Sequence, residues 1–408
     1  LRMKKTLLVL FLFLISIQNS EAQWFTQQSG TTNPLYDIEF INEQTGWCSG
    51  VGVILKTTNG GVHWIDFLND APSKPYSAIF PVDTNVVYAV GYFRTFIKST
   101  NGGVNWTIIE NGNTGEGDYY SLFFLNQNTG WAGVNYANGI RGVRYTTDGG
   151  TNFIIGQTGI PQDLYFKDSL NGIGVGGLSY IYKTTDGGLN WNSFSLVFTG
   201  DFYRVSFIND YTGYTASKRA VYKTTNFGSD WDSVGNIPVS LGSVLSVEFC
   251  NENTGWAGTQ YQIFKTTNGG RDWFSQIGTG VIYNITSFND SLVWACGNGG
   301  RIWHTMNGGT SNLNNISNSI PSIFKLYQNY PNPFNSKTKI RIDIRKTGNY
   351  EMEIFNNTGK KIETFFNVEL NTGQYEIIYD AKELSSGIYF YRLSGNNISE
   401  TKKLILIK

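Results

Sequence analysis

Seven arginines are the side chains of this sequence best suited to chemistry on a charged ligand. Clustered guanidinium groups can hold a carboxylate, and a pair of carboxylic acids can exchange protons with a glycosidic oxygen. No spacing in the chain points to such a carboxylate pair, and Gly-x-Ser-x-Gly, His-Glu-x-x-His and P-loop patterns are absent. We therefore expect no enzyme and no catalytic residue. The arginines are Arg94, Arg141, Arg144, Arg204, Arg219, Arg271 and Arg301.

Histidine, cysteine and net charge argue against several other classes of site. The 408 residues include two histidines, His63 and His304, so a multi-histidine metal site is excluded. Cys48, Cys250 and Cys296 are odd in number and form no CxxC pair, which disfavours a disulfide framework or a zinc site and favours small buried hydrophobes. We expect neither metal nor cofactor. A formal net charge of zero predicts no general attraction to nucleic acid.

One short phrase recurs seven times and predicts the framework that must position these side chains. It reads Lys-Thr-Thr-Asn-Gly-Gly-Val-His-Trp at residues 56–64, and successive Asn or Asp markers are 38 to 47 residues apart. A period near 40 with β-type sequence between markers is typical of a propeller with one four-stranded blade per repeat. We predict an all-β chain with a seven-bladed β-propeller over residues 23–312. The repeated positions are Asn59, Gly61, Trp64, Asn101, Gly103, Trp106, Asp148, Gly150, Asp186, Gly188, Trp191, Asn226, Gly228, Trp231, Asn268, Gly270, Trp273, Asn307 and Gly309.

A second half-motif in each repeat predicts the order of strands in a blade. An apolar strand ends in Phe, as at Phe40, and a Thr-Gly-Trp turn follows, as at residues 45–47. The seventh repeat has Asn312 where Trp is expected, whereas Trp24 opens a segment similar to the strand after Asn105. We predict that residues 24–28 supply the outer strand of the last blade, beside residues 299–309, which removes an exposed sheet edge.

The turn before the last strand of each blade has a structural explanation. Its Asn or Asp can accept bonds from backbone N–H groups, the Gly two residues later permits a positive φ, and the Thr two residues earlier can donate its hydroxyl. Seven such turns spread around a ring cannot converge on one ligand, so we interpret them as structural.

These Thr-x-Asp/Asn-x-Gly-x-x-Trp turns resemble the Asp-box, or bacterial neuraminidase repeat. The longer unit is similar to the propeller family of photosystem II assembly and stability factors, and sortilin-type propellers and sialidases share the Asp-box. The resemblance covers about residues 24 to 312. Sialidase chemistry would imply three arginines on a carboxylate, a Tyr nucleophile with a Glu partner, and an Asp acid/base. None of the arginines lies in the expected Arg-Ile-Pro context.

The variable loops of the repeats favour one face of the ring for ligand binding. Propeller ligands often meet the loops between the second and third strands of the blades, and here those loops vary whereas the Asn/Asp turns do not. Aromatic and guanidinium groups are favoured in the recognition of proteins and sugars. The candidate ligand-binding residues are Tyr92, Phe93, Arg94, Tyr136, Arg141, Arg219 and Tyr261.

The N-terminal segment predicts export. Lys4 and Lys5 precede an apolar run of about 11 residues, and Ser20-Glu21-Ala22 follows as a small-x-small cleavage site. Spanning a bilayer takes about 20 apolar residues, so the run is too short for an anchor. We predict a signal peptide over residues 1–22 and no transmembrane segment in the mature chain.

The C-terminal part has a different composition. Residues 313–324 are predicted to be a linker, and residues 325–408 a small Ig-like β-sandwich. This stretch closely resembles the C-terminal sorting domain of type IX secretion substrates, which implies handling by that machinery, passage through the outer membrane of a Gram-negative bacterium, and release or surface attachment. The family's Pro after Pro-Phe-Asn is Ser336 here. The matching residues are Tyr330, Pro331, Asn332, Pro333, Phe334, Asn335, Gly359, Gly387, Tyr389, Lys402, Lys403 and Lys408.

Together these features predict an exported binding or scaffold propeller that acts on an unidentified protein or glycan ligand. Two alternatives stay open: a divergent sialidase-like glycoside hydrolase, and a purely structural or adhesive surface protein.

Overall fold

The computed structural model describes residues 24–408, apart from residues 114, 116, 137–140, 158, 160, 197–199, 239–241, 279, 307, 310–312, 318, 371 and 382–383. The predicted signal peptide lies outside these residues. The described chain divides into two compact units, the first ending at residue 310 and the second beginning at residue 311.

The first unit is built of antiparallel strands joined by short turns. Along its described residues, the strands after the first follow one another in groups of four, each of which forms one sheet, and the last three strands form a sheet with the first. Two short 3-10 turns, Gly177–Ser179 and Asn298–Gly300, interrupt the pattern. The strands are β1 (Phe25–Gln27), β2 (Leu35–Phe40), β3 (Gly46–Gly50), β4 (Val53–Thr57), β5 (Ile65–Asp66), β6 (Tyr76–Pro81), β7 (Val87–Gly91), β8 (Thr95–Ser99), β9 (Thr107–Glu110), β10 (Gly117–Phe124), β11 (Gly130–Tyr136), β12 (Arg141–Thr146), β13 (Ile154–Gln157), β14 (Pro161–Phe166), β15 (Gly172–Gly176), β16 (Tyr180–Thr184), β17 (Asn192–Ser195), β18 (Phe202–Phe207), β19 (Gly213–Ser217), β20 (Ala220–Thr224), β21 (Asp232–Asn236), β22 (Val244–Phe249), β23 (Gly255–Thr259), β24 (Gln262–Thr266), β25 (Phe274–Gly278), β26 (Ile282–Ser287), β27 (Val293–Gly297) and β28 (Ile302–Thr305).

The sheets form a closed ring. The first strand of each sheet, called here its inner strand, contacts the inner strand of the next sheet, and β26 of the last sheet contacts β2 of the first. The inner strands are β2, β6, β10, β14, β18, β22 and β26. The sheets thus resemble the blades of a β-propeller.

The last sheet is completed by the N-terminal strand. β1 pairs antiparallel with β28, with Phe25 opposite His304 and Gln27 opposite Ile302. Trp24 is buried in the same core cluster as Trp256 and Trp303. The prediction that residues 24–28 supply the missing outer strand is confirmed.

Aromatic residues join neighbouring sheets, and their pattern explains the half-motif of the sequence. The ring of Phe166, at the end of β14, stacks on Trp131 of the preceding sheet with 3.7 Å between centroids. The same stacking joins Phe40 to Trp294 at 3.8 Å. Gly46 is required beside Phe40 because a Cβ there would lie 2.7 Å from the phenyl ring.

The repeated turns behave as structural elements. Thr57 donates its hydroxyl to the side-chain oxygen of Asn59 at 2.9 Å, and it accepts the N–H of Gly61 at 2.9 Å. The Asn59 oxygen accepts the N–H of His63 at 2.9 Å, and Gly61 has a φ of 88°. The Trp131 indole N–H donates to the carbonyl of Gly187, in the turn of the next sheet, at 2.8 Å. The hydrogen bonds within the turn are those predicted from its residue types, and the Gly187 turn is in addition a contact point between two sheets.

The second unit consists of two antiparallel sheets that share one core. The strands run in the orders β29-β34-β31-β30 and β33-β32-β35-β36. Leu326, Ile340 and Ile377 from the first sheet pack with Met352 and Tyr391 from the second. The strands are β29 (Leu313–Ser317), β30 (Lys325–Leu326), β31 (Lys337–Ile344), β32 (Gly348–Asn356), β33 (Lys361–Leu370), β34 (Gly373–Asp380), β35 (Gly387–Gly395) and β36 (Ile398–Leu406).

The linker prediction for residues 313–324 is wrong at its start. Residues 313–317 form β29, whose Leu313 lies opposite Ile377 of β34. The segment reads as a linker because it is rich in Ser and Asn, yet as an edge strand it needs backbone hydrogen bonds more than apolar side chains.

The Tyr-Pro-Asn-Pro-Phe-Asn segment holds the last strand in place. Phe334 is buried, donates its N–H to the carbonyl of Ile405 at 3.0 Å, and accepts the N–H of Ile407 at 2.9 Å. The Asn332 side-chain oxygen accepts the N–H of Ile405 at 2.9 Å. The segment and the C-terminal strand therefore form one structural element.

Candidate functional site

The centre of the ring contains a cavity of about 200 Å³. Every inner strand contributes to its wall, so its lining depends on the closure of the whole ring. The polar residues on the wall are Asp37, Glu39, Asp163, Tyr165, Arg204, Ser206, Glu248, Asn284 and Thr286.

An ionic cluster crosses the cavity. The Arg204 guanidinium lies 2.8 Å from the carboxylate of Asp37 and 3.7 Å from that of Asp163. The Asn284 amide donates to Asp37 at 2.6 Å, and the backbone N–H of Ile79 donates to it at 2.8 Å. Asp37 thereby joins four inner strands. Arg204 is the right cation for this position, since its planar guanidinium can serve two carboxylates at once.

Burial controls protonation around the cavity. It raises the pKa of Asp163 to about 6 even though Arg204 opposes the shift. It also raises the pKa of Glu248 to about 7, although the Ser287 hydroxyl donates to this carboxylate at 2.8 Å. For Arg204, burial disfavours the charge, but Asp37 and Asp163 outweigh burial and raise its pKa. The guanidinium is therefore charged at all pH values of interest, whereas two of the carboxyls titrate near neutrality.

Glu39 is the one cavity carboxyl without a hydrogen-bond or ion-pair partner among the described residues. Burial, and next the negative charge of Asp37, raise its pKa well above the usual range. Its side chain stays partly accessible because it faces the cavity. A buried carboxyl without a partner is stabilised when a hydrogen-bond donor or a cation binds to it.

Four tyrosines form a continuous cluster near the starts of the inner strands β2, β10 and β26. Tyr36 lies 5.2 Å from Tyr283 and 6.4 Å from Tyr92 between ring centroids, and Tyr92 lies 6.4 Å from Tyr120. Tyr36 and Tyr283 each directly precede a cavity residue, Asp37 and Asn284 respectively. All four rings are partly exposed. We call these four residues the tyrosine cluster.

A repeated β-bulge positions these side chains. The pairing of β2 with β3 is irregular between Leu35 and Asp37, and five of the other inner strands show the same one-residue irregularity, whereas that of β18 spans two residues. Tyr36, Tyr120 and Tyr283 each occupy the bulge, and Tyr203 lies in the wider irregularity of β18. Bulges redirect side chains and are frequent beside binding sites.

Three of the sequence-predicted ligand residues lie in the β7–β8 turn. Tyr92 belongs to the tyrosine cluster. Phe93 and Arg94 form the tip of the turn with φ values of 58° and 52°, and the backbone N–H of Phe93 donates to Asp118 at 3.0 Å. The Arg94 guanidinium lies 3.5 Å from Glu110, so it takes part in an ion pair.

The other four predicted residues are not brought into the cluster by any described contact. Arg141, Arg219 and Tyr261 are exposed at second-to-third-strand connections of their own sheets. Tyr136 lies at the end of β11, and its side chain is outside the described residues. Asn307 of the last turn also lies outside them.

Sequence reasoning missed most of this site, although a signal was present. The inner strands can be aligned on their last residues, with Phe40 as the last residue of β2. The position four residues before the end is then a tyrosine in alternate repeats, namely Tyr36, Tyr120, Tyr203 and Tyr283. The position three residues before the end gives Asp37, Asp163, Arg204 and Asn284. These four residues, which form the ionic cluster of the cavity, thus occupy one equivalent position of the repeat.

Within the residues that the structure describes, no His, Cys, Asp and Glu side chains group into a set that could hold a metal ion. The same residues include no helix long and apolar enough to cross a membrane.

The C-terminal unit decides how the protein is delivered. Residues 328–408 match the secretion system C-terminal sorting domain. The chain carries a type IX secretion sorting domain. A protein with this sorting domain is secreted or held at the cell surface, which agrees with the predicted export.

Solved structures similar to the chain include the WD40 beta propeller domain of Doa1, with a TM-score of 0.54 and 9% identity over 69% of this chain and 95% of that one. A structure described as YCF48 bound to D1 peptide superposes with a TM-score of 0.59 and 18% identity, over 71% of this chain and 99% of that one. YCF48 from Cyanidioschyzon merolae gives 0.57 and 19%, over 69% and 98%. The extracellular domain of the putative one component system BT4673 from B. thetaiotaomicron gives 0.53 and 12%, over 96% and 58%. At these identities the likeness shows the fold alone, a β-propeller, and the sorting domain is shown by the family match. No curated protein sequence matches the chain significantly.

Proposed function

We propose that this protein is an exported seven-bladed propeller of the Asp-box type that binds a ligand at the tyrosine cluster and has no catalytic activity. A signal peptide over residues 1–22 and an Ig-like sorting domain deliver it to the cell surface or the medium. The observation that carries the proposal is the cluster of four partly exposed tyrosine rings, three of which lie in the recurring β-bulge and two of which directly precede residues of the cavity wall.

The chemistry of the site favours a peptide segment that carries a basic side chain. Tyrosine rings offer large, rigid and partly polar surfaces, which suit peptides, and their faces attract cations. Glu39 lines the cavity without a hydrogen-bond or ion-pair partner among the described residues, and the cavity wall contains four carboxyls and one guanidinium, that of Arg204. The structure of YCF48 bound to D1 peptide is a precedent for peptide binding by a propeller of similar fold.

The cavity itself does not favour hydrolysis. Three of its carboxyls are engaged, Asp37 and Asp163 with Arg204 and Glu248 with Ser287. A glycosidase needs two carboxyls at a defined separation with a sugar ring between them. The single unengaged carboxyl, Glu39, supports binding better than acid/base catalysis by a pair.

The test is a binding screen of the purified mature chain against a library of short peptides and a glycan array, with product formation assayed on every hit. We expect saturable binding of peptides with Lys or Arg. Tyr36→Ala and Glu39→Gln should each weaken binding at least tenfold, whereas Tyr261→Ala, which removes an exposed ring outside the cluster, should not change it.

The possible outcomes are distinct. Glycan binding that depends on Tyr36 would retain the site and change the ligand class. Cleavage of a glycoside would overturn the assignment as a binding protein. Binding lost with Tyr261→Ala but retained with Tyr36→Ala would move the site away from the tyrosine cluster, and a blank screen would favour the structural or adhesive role.

A further inference from the structure

Two of the three cysteines lie where the ring closes. Cys48 is in β3 of the first sheet and Cys296 is in β27 of the last sheet, and both are fully buried. They belong to one core cluster, together with Ile38 and Trp294. This cluster is the packed interface between the two sheets, because β2 contacts both β26 and β27.

The register of the strands directs the two cysteines to this interface. Cys48 lies opposite Ile38 in the pairing of β3 with β2, and Cys296 lies opposite Ile302 in the pairing of β27 with β28. Opposite residues of paired strands share a face, and both Ile38 and Ile302 belong to the same interface cluster. The thiols therefore approach each other from the two sides, and burial, followed by the neighbouring Cys296, raises the pKa of the Cys48 thiol well above its usual range.

We propose that Cys48 and Cys296 form a disulfide bond that joins the first and last sheets covalently. In the reaction, a disulfide-bonded oxidant accepts one thiolate to give a mixed disulfide, and the second thiolate then displaces it. Each cysteine loses one proton, the two electrons pass to the oxidant, and the oxidant leaves as two thiols. Delivery outside the cell takes the chain through the compartments where such oxidants act.

Burial limits when the bond can form. Both thiols are inaccessible in the closed ring, so exchange must precede the docking of the last sheet on the first. Cys250 is the cysteine left over. It is partly exposed and packs against a different cluster, with Trp256 and Ile285, so it provides an internal reference thiol.

The disulfide would close the ring covalently, in addition to the pairing of β1 with β28. That strand exchange holds the ring through backbone hydrogen bonds, the buried Trp24 ring and side-chain hydrogen bonds of Gln27, none of which is covalent. A disulfide between residues 48 and 296 closes a loop that includes most of the ring, and long loops give the largest stabilisation in the chain-entropy account of cross-links. Disulfides persist in oxidising extracellular surroundings, so a covalent ring closure suits a protein that carries a secretion sorting domain.

The experiment counts free thiols in the exported full-length chain, purified without reductant and alkylated in denaturant. We expect one alkylated cysteine, Cys250, before reduction and three after it, and a peptide that links residues 48 and 296 in the non-reduced digest. Three alkylated cysteines before reduction, or a link that includes Cys250, would overturn the proposal.

Stability provides a second, independent measurement. Reductant should lower the Tm of the natural chain by roughly 5 °C or more. Cys296→Ala should lower Tm without reductant and abolish the response to reductant, whereas Cys250→Ala should keep that response. A natural chain whose Tm is unchanged by reductant, after reduction is verified by mass, would contradict a stabilising bond.

Discussion

The guanidinium of Arg204 lies 2.8 Å from the carboxylate of Asp37, although the two residues are 167 positions apart and belong to inner strands that are not neighbours. The ion pair therefore spans the central cavity. Both side chains are largely shielded from bulk water, with exposed fractions of 17% and 3%. A pair in this position depends on the closure of the ring and also constrains it.

Replacement of Arg204 by Met should destabilise the first unit by about 3–5 kcal/mol at pH 7.5, because it leaves Asp37 and Asp163 buried without their cation. The loss should be smaller at pH 4.5, where Asp163, whose pKa is about 6, is mostly protonated. Urea unfolding followed by tryptophan fluorescence measures this unit selectively, since all 11 tryptophans lie between residues 24 and 303. Arg219→Met, at an exposed arginine, is the matched control and should change stability by no more than about 0.5 kcal/mol. An equal loss at both pH values would exclude the charge explanation.

Glu248→Gln should stabilise the protein above pH 7 and be neutral near pH 4. The folded protein raises the pKa of Glu248 from 4.5 to about 7, so between these values the unfolded chain ionises first and the natural protein loses stability as pH rises. Gln cannot ionise, yet it keeps an oxygen to accept the Ser287 hydroxyl bond. We expect a gain on the order of 1–3 kcal/mol above pH 7. Glu252→Gln, at an exposed carboxylate, should show no such pH-dependent gain, and a gain that is already complete at pH 4 would refute the assignment.

The repeated parts of this fold could be predicted from the sequence because they are local. Thr57, Asn59 and Gly61 form their turn from residues within five positions, so their types alone specify the geometry. The strand exchange was also predictable, since Trp24 repeats the pattern of residues that follow the other turns.

The residues of the central site could not be predicted from the repeat, because they lie at a position where the repeats differ from one another. Asp37, Asp163 and Arg204 occupy one equivalent position that is Ala78 in the second sheet and Ser246 in the sixth. Each is unremarkable in its own strand, and only the closed ring brings the three together. The prediction also favoured loop residues, including three arginines, whereas the structure pairs Arg94 with Glu110 and places Tyr36 and Tyr283 in strand bulges directly before two residues of the cavity wall.

The contact of Trp131 with the next sheet predicts a graded response to substitution. Trp131→Phe should keep the stacking on Phe166 but lose the hydrogen bond to the Gly187 carbonyl, which costs about 1–2 kcal/mol. Trp131→Ala should lose both and cost about 3–5 kcal/mol. Urea unfolding monitored by circular dichroism avoids the loss of a fluorophore. Tyr261→Ala is the exposed-aromatic control, and equal costs for the two Trp131 variants would show that the indole N–H, and not the ring, carries the contact.

Removal of residues 24–28 should open the last sheet. Without β1, the strand β28 becomes an edge whose backbone groups can pair with another chain, and the core loses the buried Trp24 ring. We expect a lower Tm and concentration-dependent association, measured by calorimetry and by size-exclusion chromatography with light scattering. Trp24→Ala retains the strand and removes only the ring, so it should lower Tm and leave the protein monomeric. If the truncated chain stays monomeric and as stable as the Trp24→Ala variant, β1 contributes its ring to the core and is not needed to protect the edge.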